Sequence, residues 1–81
     1  MTPKEQIEDF AFNNEFDLRF FTQWQIRFMK DNCTSVDLYL PRYKMCFIAT
    51  GDWVENESLD QAFERILNHF NYETLRYNSG L

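Results

Sequence analysis

Apolar and polar residues alternate along "FDLRFFTQWQIRFM", residues 16 to 29, with Phe16, Leu18, Phe20, Thr22, Trp24, Ile26 and Phe28 on one parity and Asp17, Arg19, Gln23, Gln25 and Arg27 on the other. That period of two is the mark of a strand, because successive side chains of extended backbone point to opposite faces. Wound as a helix, the same residues would leave Leu18, Ile26 and Met29 pointing away from the Phe16, Phe20, Trp24 and Phe28 series, with no single apolar side. The pattern therefore predicts a strand over 22 to 29, with Trp24, Ile26 and Phe28 toward the core. Residues 16 to 21 admit either extended backbone or a short helical turn. Phe21 interrupts the polar parity, which calls for a bulge or for partial cover on that side.

The flanking segments read differently. Ahead of it, "TPKEQIEDFAFNN" carries Thr2 and Glu5 in capping-box spacing with Pro3 at the first helical position, so a helix should begin at Pro3. Its buried stripe would be Ile7, Phe10, Ala11 and Phe12, and Asn13 and Asn14 would end it, since Asn tolerates the left-handed backbone of a helix stop. Behind it, "DNCTS" is a turn and "VDLYLP" a second strand, with Val36, Leu38 and Leu40 on one side and Asp37 and Tyr39 on the other. Pro41 and Arg42 suit a type I turn rather than a two-residue hairpin, because proline cannot take a positive φ. "YKMCFIATG" reads as a third strand, covered on both faces, that stops at Gly51 and Asp52. In "WVENESLDQAFERILNHF", Ser58 and Gln61 form a second capping-box spacing, and Leu59, Ala62, Phe63, Ile66, Leu67 and Phe70 recur at helical spacing. Residues 71 to 81 either extend that helix or fray.

The element order is α-β-β-β-α, and its simplest packing is an α+β two-layer sandwich: a three-stranded antiparallel sheet with both helices on one face. With 81 residues the chain has material for a single core and a single domain spanning 1 to 81. Fifteen aromatic residues, nine Phe, four Tyr and two Trp, give that core ample apolar area without covalent staples.

Composition narrows the chemistry. Cys33 and Cys46 are too few for a disulfide framework, and no N-terminal apolar run resembles a signal peptide, which together suggest a cytoplasmic protein. No segment has the length and apolarity of a membrane span. Two cysteines thirteen positions apart and one histidine match no zinc-ligand spacing, and with only Gly51 and Gly80 there is no glycine-rich phosphate loop. His69, the one histidine, falls on the side of the last helix away from the stripe of Leu67 and Phe70 and reads as a solvated side chain; Cys33 lies in a turn and could be reactive, and Cys46 reads as a small apolar residue. No catalytic, cofactor or metal site is expected.

Two surfaces stand out as partner-binding candidates. One is the polar face of the sheet, with Phe21, Gln23, Gln25, Arg27, Met29 and Tyr39, extended by Lys44 and Ile48. Aromatic, Met, Arg and amide groups together are the composition of protein interfaces. The other is the acidic group Asp52, Glu55, Glu57, Asp60 and Glu64 around the start of the last helix. These acids suit the positive end of a helix dipole, and they also suit a basic surface on a partner.

The order α-β-β-β-α resembles the double-stranded-RNA-binding domain. That resemblance implies an RNA- or DNA-binding module, yet "ENESLDQ" is acidic where that family has a Lys-rich helix start, so none of its RNA-contacting residues transfers here. "ATGDWVENESLDQAFERIL" resembles the strand-then-helix ending of HicB-like antitoxin domains over about a quarter of the chain. A net charge of −5 disfavours a phosphate backbone as partner. The expectation is a small acidic, non-enzymatic protein acting by protein-protein contact. Its narrower form is a phage or mobile-element inhibitor of a host nucleic-acid-targeting complex (an anti-defence, viral protein), with a homodimer through an open strand edge as a further alternative.

Overall fold

The computed structural model describes residues 1 to 80 as α1 (Pro3–Asn13), β1 (Asp17–Phe20), β2 (Gln25–Met29), β3 (Val36–Tyr39), β4 (Lys44–Phe47), β5 (Asp52–Val54) and α2 (Leu59–Ser79). The α+β class and the antiparallel sheet are as expected. The sheet, however, has five strands and not three, in the sequential order β1-β2-β3-β4-β5, each antiparallel to the next.

Both extra strands come from hairpins that the pattern concealed. Residues 16 to 29 were one alternating run, but Leu18 pairs with Phe28 and Phe20 with Ile26, so the run folds back on itself between Phe20 and Gln25. Phe20 and Ile26 lie on the same parity, which is why the period never breaks. Trp24, expected in the core, sits in this turn and is 56% exposed, whereas Ile26 and Phe28 are fully buried. The Thr22 hydroxyl builds the turn by accepting from the N–H groups of both Trp24 and Gln25, each at 3.1 Å. At the other end of the sheet, Gly51 does not terminate the structure. Its φ of +75° lets the chain reverse, its N–H reaches the Phe47 carbonyl at 2.8 Å, and β5 pairs back along β4.

The helix starts follow their sequence signals. Thr2 Oγ1 accepts from the Glu5 N–H while Glu5 Oε1 accepts from the Thr2 N–H, closing the first box. At α2 the Ser58 hydroxyl accepts from the Gln61 N–H (3.1 Å), but Gln61 reaches back one residue further than the box requires, to the Glu57 N–H (2.7 Å). α1 ends at Asn14 as expected, although the left-handed residue is Glu15 (φ +60°); Asn14 instead uses its side chain, donating to the Phe10 carbonyl at 2.9 Å. Phe12 is 83% exposed and does not belong to the buried stripe. Pro41–Tyr43 forms a 3-10 turn in which the Tyr43 N–H donates to the Leu40 carbonyl at 3.1 Å, and Arg42 and Tyr43 have positive φ, which the expected type I turn does not include. α2 continues to Ser79, so the tail extends the helix; the expectation for position 81 lies outside the described residues.

The core lies between the sheet and the helices. Ile26, Phe28, Val36, Leu38 and Met45 from β2, β3 and β4 meet Ile7 and Ala11 from α1 and Leu59, Ala62, Ile66 and Phe70 from α2, all essentially shielded from solvent. Aromatic rings join the pieces. Phe10 of α1 stacks on Phe63 of α2 at 4.1 Å and meets Phe28 edge-on at 6.0 Å, and Phe16 bridges Phe28 and Phe70. Because both helices contact the same parity of sheet residues, the opposite face of the sheet carries no layer. Truncating the centre of this cluster, Phe28→Ala, should cost about 3–5 kcal/mol in urea denaturation, whereas Trp24→Ala should cost less than about 1 kcal/mol. Equal losses for the two would contradict the hairpin at 21 to 24.

Candidate functional site: the open face of the sheet

Register places two adjacent rows on the uncovered face. One runs Arg19, Arg27, Asp37, Cys46, Trp53 across all five strands, and the next runs Phe21, Gln25, Tyr39, Lys44. Met29 opposite Asp17 lies beyond the first row. Of the residues expected here, Phe21, Gln25, Arg27, Met29, Tyr39 and Lys44 do share the face. Gln23 is instead at the exposed hairpin tip, and Ile48 follows the end of β4 in the turn to β5. The sequence alone did not add Arg19, Cys46 and Trp53. Arg19 follows from parity once β1 is known to be a strand; Trp53 had no such signal, because a three-residue strand is shorter than any period can register.

The centre of the face is an ion pair. Arg27 Nε and NH2 donate to Asp37 Oδ1 and Oδ2 at 2.7 and 3.0 Å, a two-pronged geometry that fits guanidinium to carboxylate. Asp37 is only 3% exposed although no layer covers it; its neighbours across the sheet provide the shielding. The Asp37 hydrogen bond holds the Arg27 guanidinium above its ordinary pKa, and burial, with Asp37 beside it, raises the Tyr39 phenol. Arg27 also has a like charge opposite it, Arg19. Phe21 lies within reach of both guanidinium groups, 5.0 Å from Arg19 and 4.9 Å from Arg27, so the ring's negative face offsets the repulsion.

Toward the other end, Tyr39 packs against Trp53 (5.2 Å between centroids) and Lys44 Nζ lies 4.7 Å from the Trp53 ring. Here the face opens into a groove of about 450 Å³ between Trp24, Tyr39, Pro41, Arg42, Lys44 and Trp53. Trp24 and Trp53 are 56% and 51% exposed. For side chains of this size that exposure is unusual.

The acidic candidates lie in different surroundings. Asp52 lies on β5 opposite Phe47, toward the helices, and borders a second groove with His69 and Glu73. Glu55 makes a loose pair with Arg42 at 3.6 Å. The Glu57 N–H belongs to the α2 cap, and Asp60 and Glu64 stand exposed one turn apart on α2.

His69 is not solvated. It packs against Phe47 and Phe70, and its Nε2 lies 3.0 Å from the Thr34 carbonyl, 3.3 Å from the Thr34 hydroxyl and 3.3 Å from Glu73 Oε1. Glu73 also accepts from the Thr34 N–H at 2.8 Å and from its hydroxyl. A catalytic relay needs the hydroxyl and the carboxylate on different ring nitrogens. Here all of these partners meet Nε2, and the arrangement ties α2 to the β2-β3 connection. Cys33 Sγ, 3.5 Å from the Thr74 hydroxyl, joins the same seam. Asn56 makes a parallel tie at the other end: it donates to the Tyr43 carbonyl at 2.6 Å and accepts from Arg65 at 2.8 Å. Among the described residues no group of His, Cys, Asp and Glu is arranged to hold a metal ion, and no helix is long and apolar enough to cross a membrane. In comparison with known proteins, no family model, curated protein or solved structure matches the chain.

Two stability measurements follow. Arg27→Ala leaves Asp37 shielded and without its partner, and should cost about 2 kcal/mol, below the full buried-pair penalty because the arginine is partly exposed. In an Asp37→Asn background the same change should cost less than half as much, and strict additivity would contradict the pairing. Separately, the Thr34 hydroxyl and N–H hold the Glu73 carboxyl below its ordinary range. A depressed carboxyl contributes stability that is complete above its unfolded value, about 4.3, and is lost as pH falls through the lower folded value. The stability gap between wild type and Glu73→Gln should therefore be widest near neutrality and close in acid; a gap that widens in acid would reverse the assignment.

Proposed function

We propose that this protein is a non-catalytic binding module and that its working surface is the uncovered face of the sheet, which receives a protein partner. The observation that carries this reading is the concentration of Phe21, Trp24, Tyr39, Trp53 and Arg19 on the one side of the sheet that no helix covers. Large amphipathic rings and arginine are the residues that dominate binding energy at protein interfaces, since they bury much area for little lost conformational freedom. The ladder beneath them is already held by the Arg27 and Asp37 pair, so the surface needs little ordering on association.

A protein suits the face better than a nucleic acid. Arg27, the cation at the centre of the face, is engaged by Asp37, and a chain of net charge −5 has little to draw a phosphate backbone. The narrower idea of a phage inhibitor of a host nucleic-acid-targeting complex has less support in the form that uses the acids, because Asp52, Glu55, Glu57, Asp60 and Glu64 lie in different surroundings. Dimerisation through a strand edge is also disfavoured: the edge strands β1 and β5 are four and three residues long, and short edges template poorly.

Arg27 is a poor probe of this surface because its loss destabilises the fold. Arg19→Ala with Phe21→Ala tests it more cleanly, compared with Glu8→Ala and Phe12→Ala on exposed positions of α1. In affinity capture from the producing cells, the partner held by wild type should fall at least about tenfold with the sheet variant and persist with the α1 variant. The reverse ranking would move the interface to the helices.

A further inference from the structure

We propose that the groove between Trp24 and Trp53 receives an extended, acidic, proline-containing segment of the partner protein; this deepens the protein-binding reading above and rests on it. Its walls come from three places in the chain that the fold holds together. Trp24 is fixed in the β1-β2 turn by Thr22 and by the Leu40 N–H, which donates to the Trp24 carbonyl at 2.9 Å. Pro41 and Arg42 belong to the 3-10 turn, Lys44 opens β4, and Trp53 is the middle residue of β5. The groove, about 450 Å³, falls in the range of sites that take a few side chains of a ligand.

Its chemistry has two parts. Trp24, Tyr39, Pro41 and Trp53 offer flat apolar walls, and aromatic-lined grooves favour proline in extended left-handed segments because that conformation is pre-formed and loses little entropy on docking. Lys44 and Arg42 are the charged residues of the lining, and no acid accompanies them there. Glu55, which meets Arg42 at 3.6 Å, is a surface partner that an incoming carboxylate can replace at little cost. A positive groove in a chain of net charge −5 is matched by carboxylates on the occupant. A nucleic-acid strand fits less well, because the groove has only Lys44 and Arg42 to set against a phosphate backbone approaching a chain of net charge −5.

The chain has two tryptophans and both line this groove, so selectively excited tryptophan fluorescence reports on this one place. The probes are a peptide of Glu-Pro-Pro repeats, one of Lys-Pro-Pro repeats, and oligodeoxythymidylate. The Glu-Pro-Pro peptide should shift tryptophan emission saturably, and raised salt should weaken it. Lys44→Glu and, as a milder change, Lys44→Ala should lower its affinity, the former by roughly tenfold or more, with circular dichroism unchanged. No saturable shift, equal binding of the Lys-Pro-Pro peptide, or tighter binding of the oligonucleotide would overturn the proposal. So would an emission shift on concentrating the protein alone, which would assign the groove to a second copy. The Arg19 and Phe21 variant reports on the far end of the face, so if it still loses its partner while the peptide fails, the face remains the interface and only the groove's occupant is wrong.

Discussion

The structure depends on where its phenylalanines meet. Phe10 and Phe63 stack between the two helices, Phe16 and Phe70 close beside them, and the edge of Phe28 sits against this cluster from the sheet. Rings packed in this way fix both helices over the same parity of sheet residues, and each contributes more than its buried area alone. One consequence is a single core that joins both helices to the sheet. The other is that, among the described residues, no helix covers the second face of the five-stranded sheet.

That uncovered face is stabilised without a second layer. A cross-strand Arg27 and Asp37 pair occupies its middle, Phe21 offsets the arginine repulsion on one side, and Tyr39 and Lys44 pack around Trp53 on the other. Interactions of this kind support the strand register on the solvent side while leaving ring edges and charged groups available. On the helix side the polar contacts have a different task. The Thr34, His69 and Glu73 cluster and the Asn56 and Arg65 cluster tie α2 to two loops, which explains polar residues in a helix otherwise read from its apolar stripe.

Much of this was legible in the sequence, and the exceptions have physical reasons. Helix starts at Pro3 and Ser58 announce themselves through side chains that satisfy their own backbone, and the parity of Ile26, Phe28, Val36 and Leu38 gives the core side of β2 and β3 directly. The first hairpin was hidden because Phe20 and Ile26 keep the same parity across a turn made by Thr22, without glycine, proline or asparagine to mark it. β5 was hidden because Asp52 to Val54 is too short to show a period, so Trp53 could not be assigned a face. His69 looked solvated because its partners, Thr34 and Phe47, come from distant parts of the chain. The open face was thus half visible: Phe21, Gln25, Arg27, Met29 and Tyr39 could be named, while Arg19 and Trp53 needed the register.

The central claim is that the uncovered side of the sheet, and not the helical side, is the surface the protein uses. Hydroxyl-radical footprinting, read residue by residue by mass spectrometry on the free protein and on its complex, tests this most directly. Phe21, Trp24 and Trp53 should be oxidised in the free protein and protected in the complex, while Phe12 and Tyr77 should be oxidised equally in both. Protection of Phe12 and Tyr77 with unchanged oxidation of the two tryptophans would contradict it.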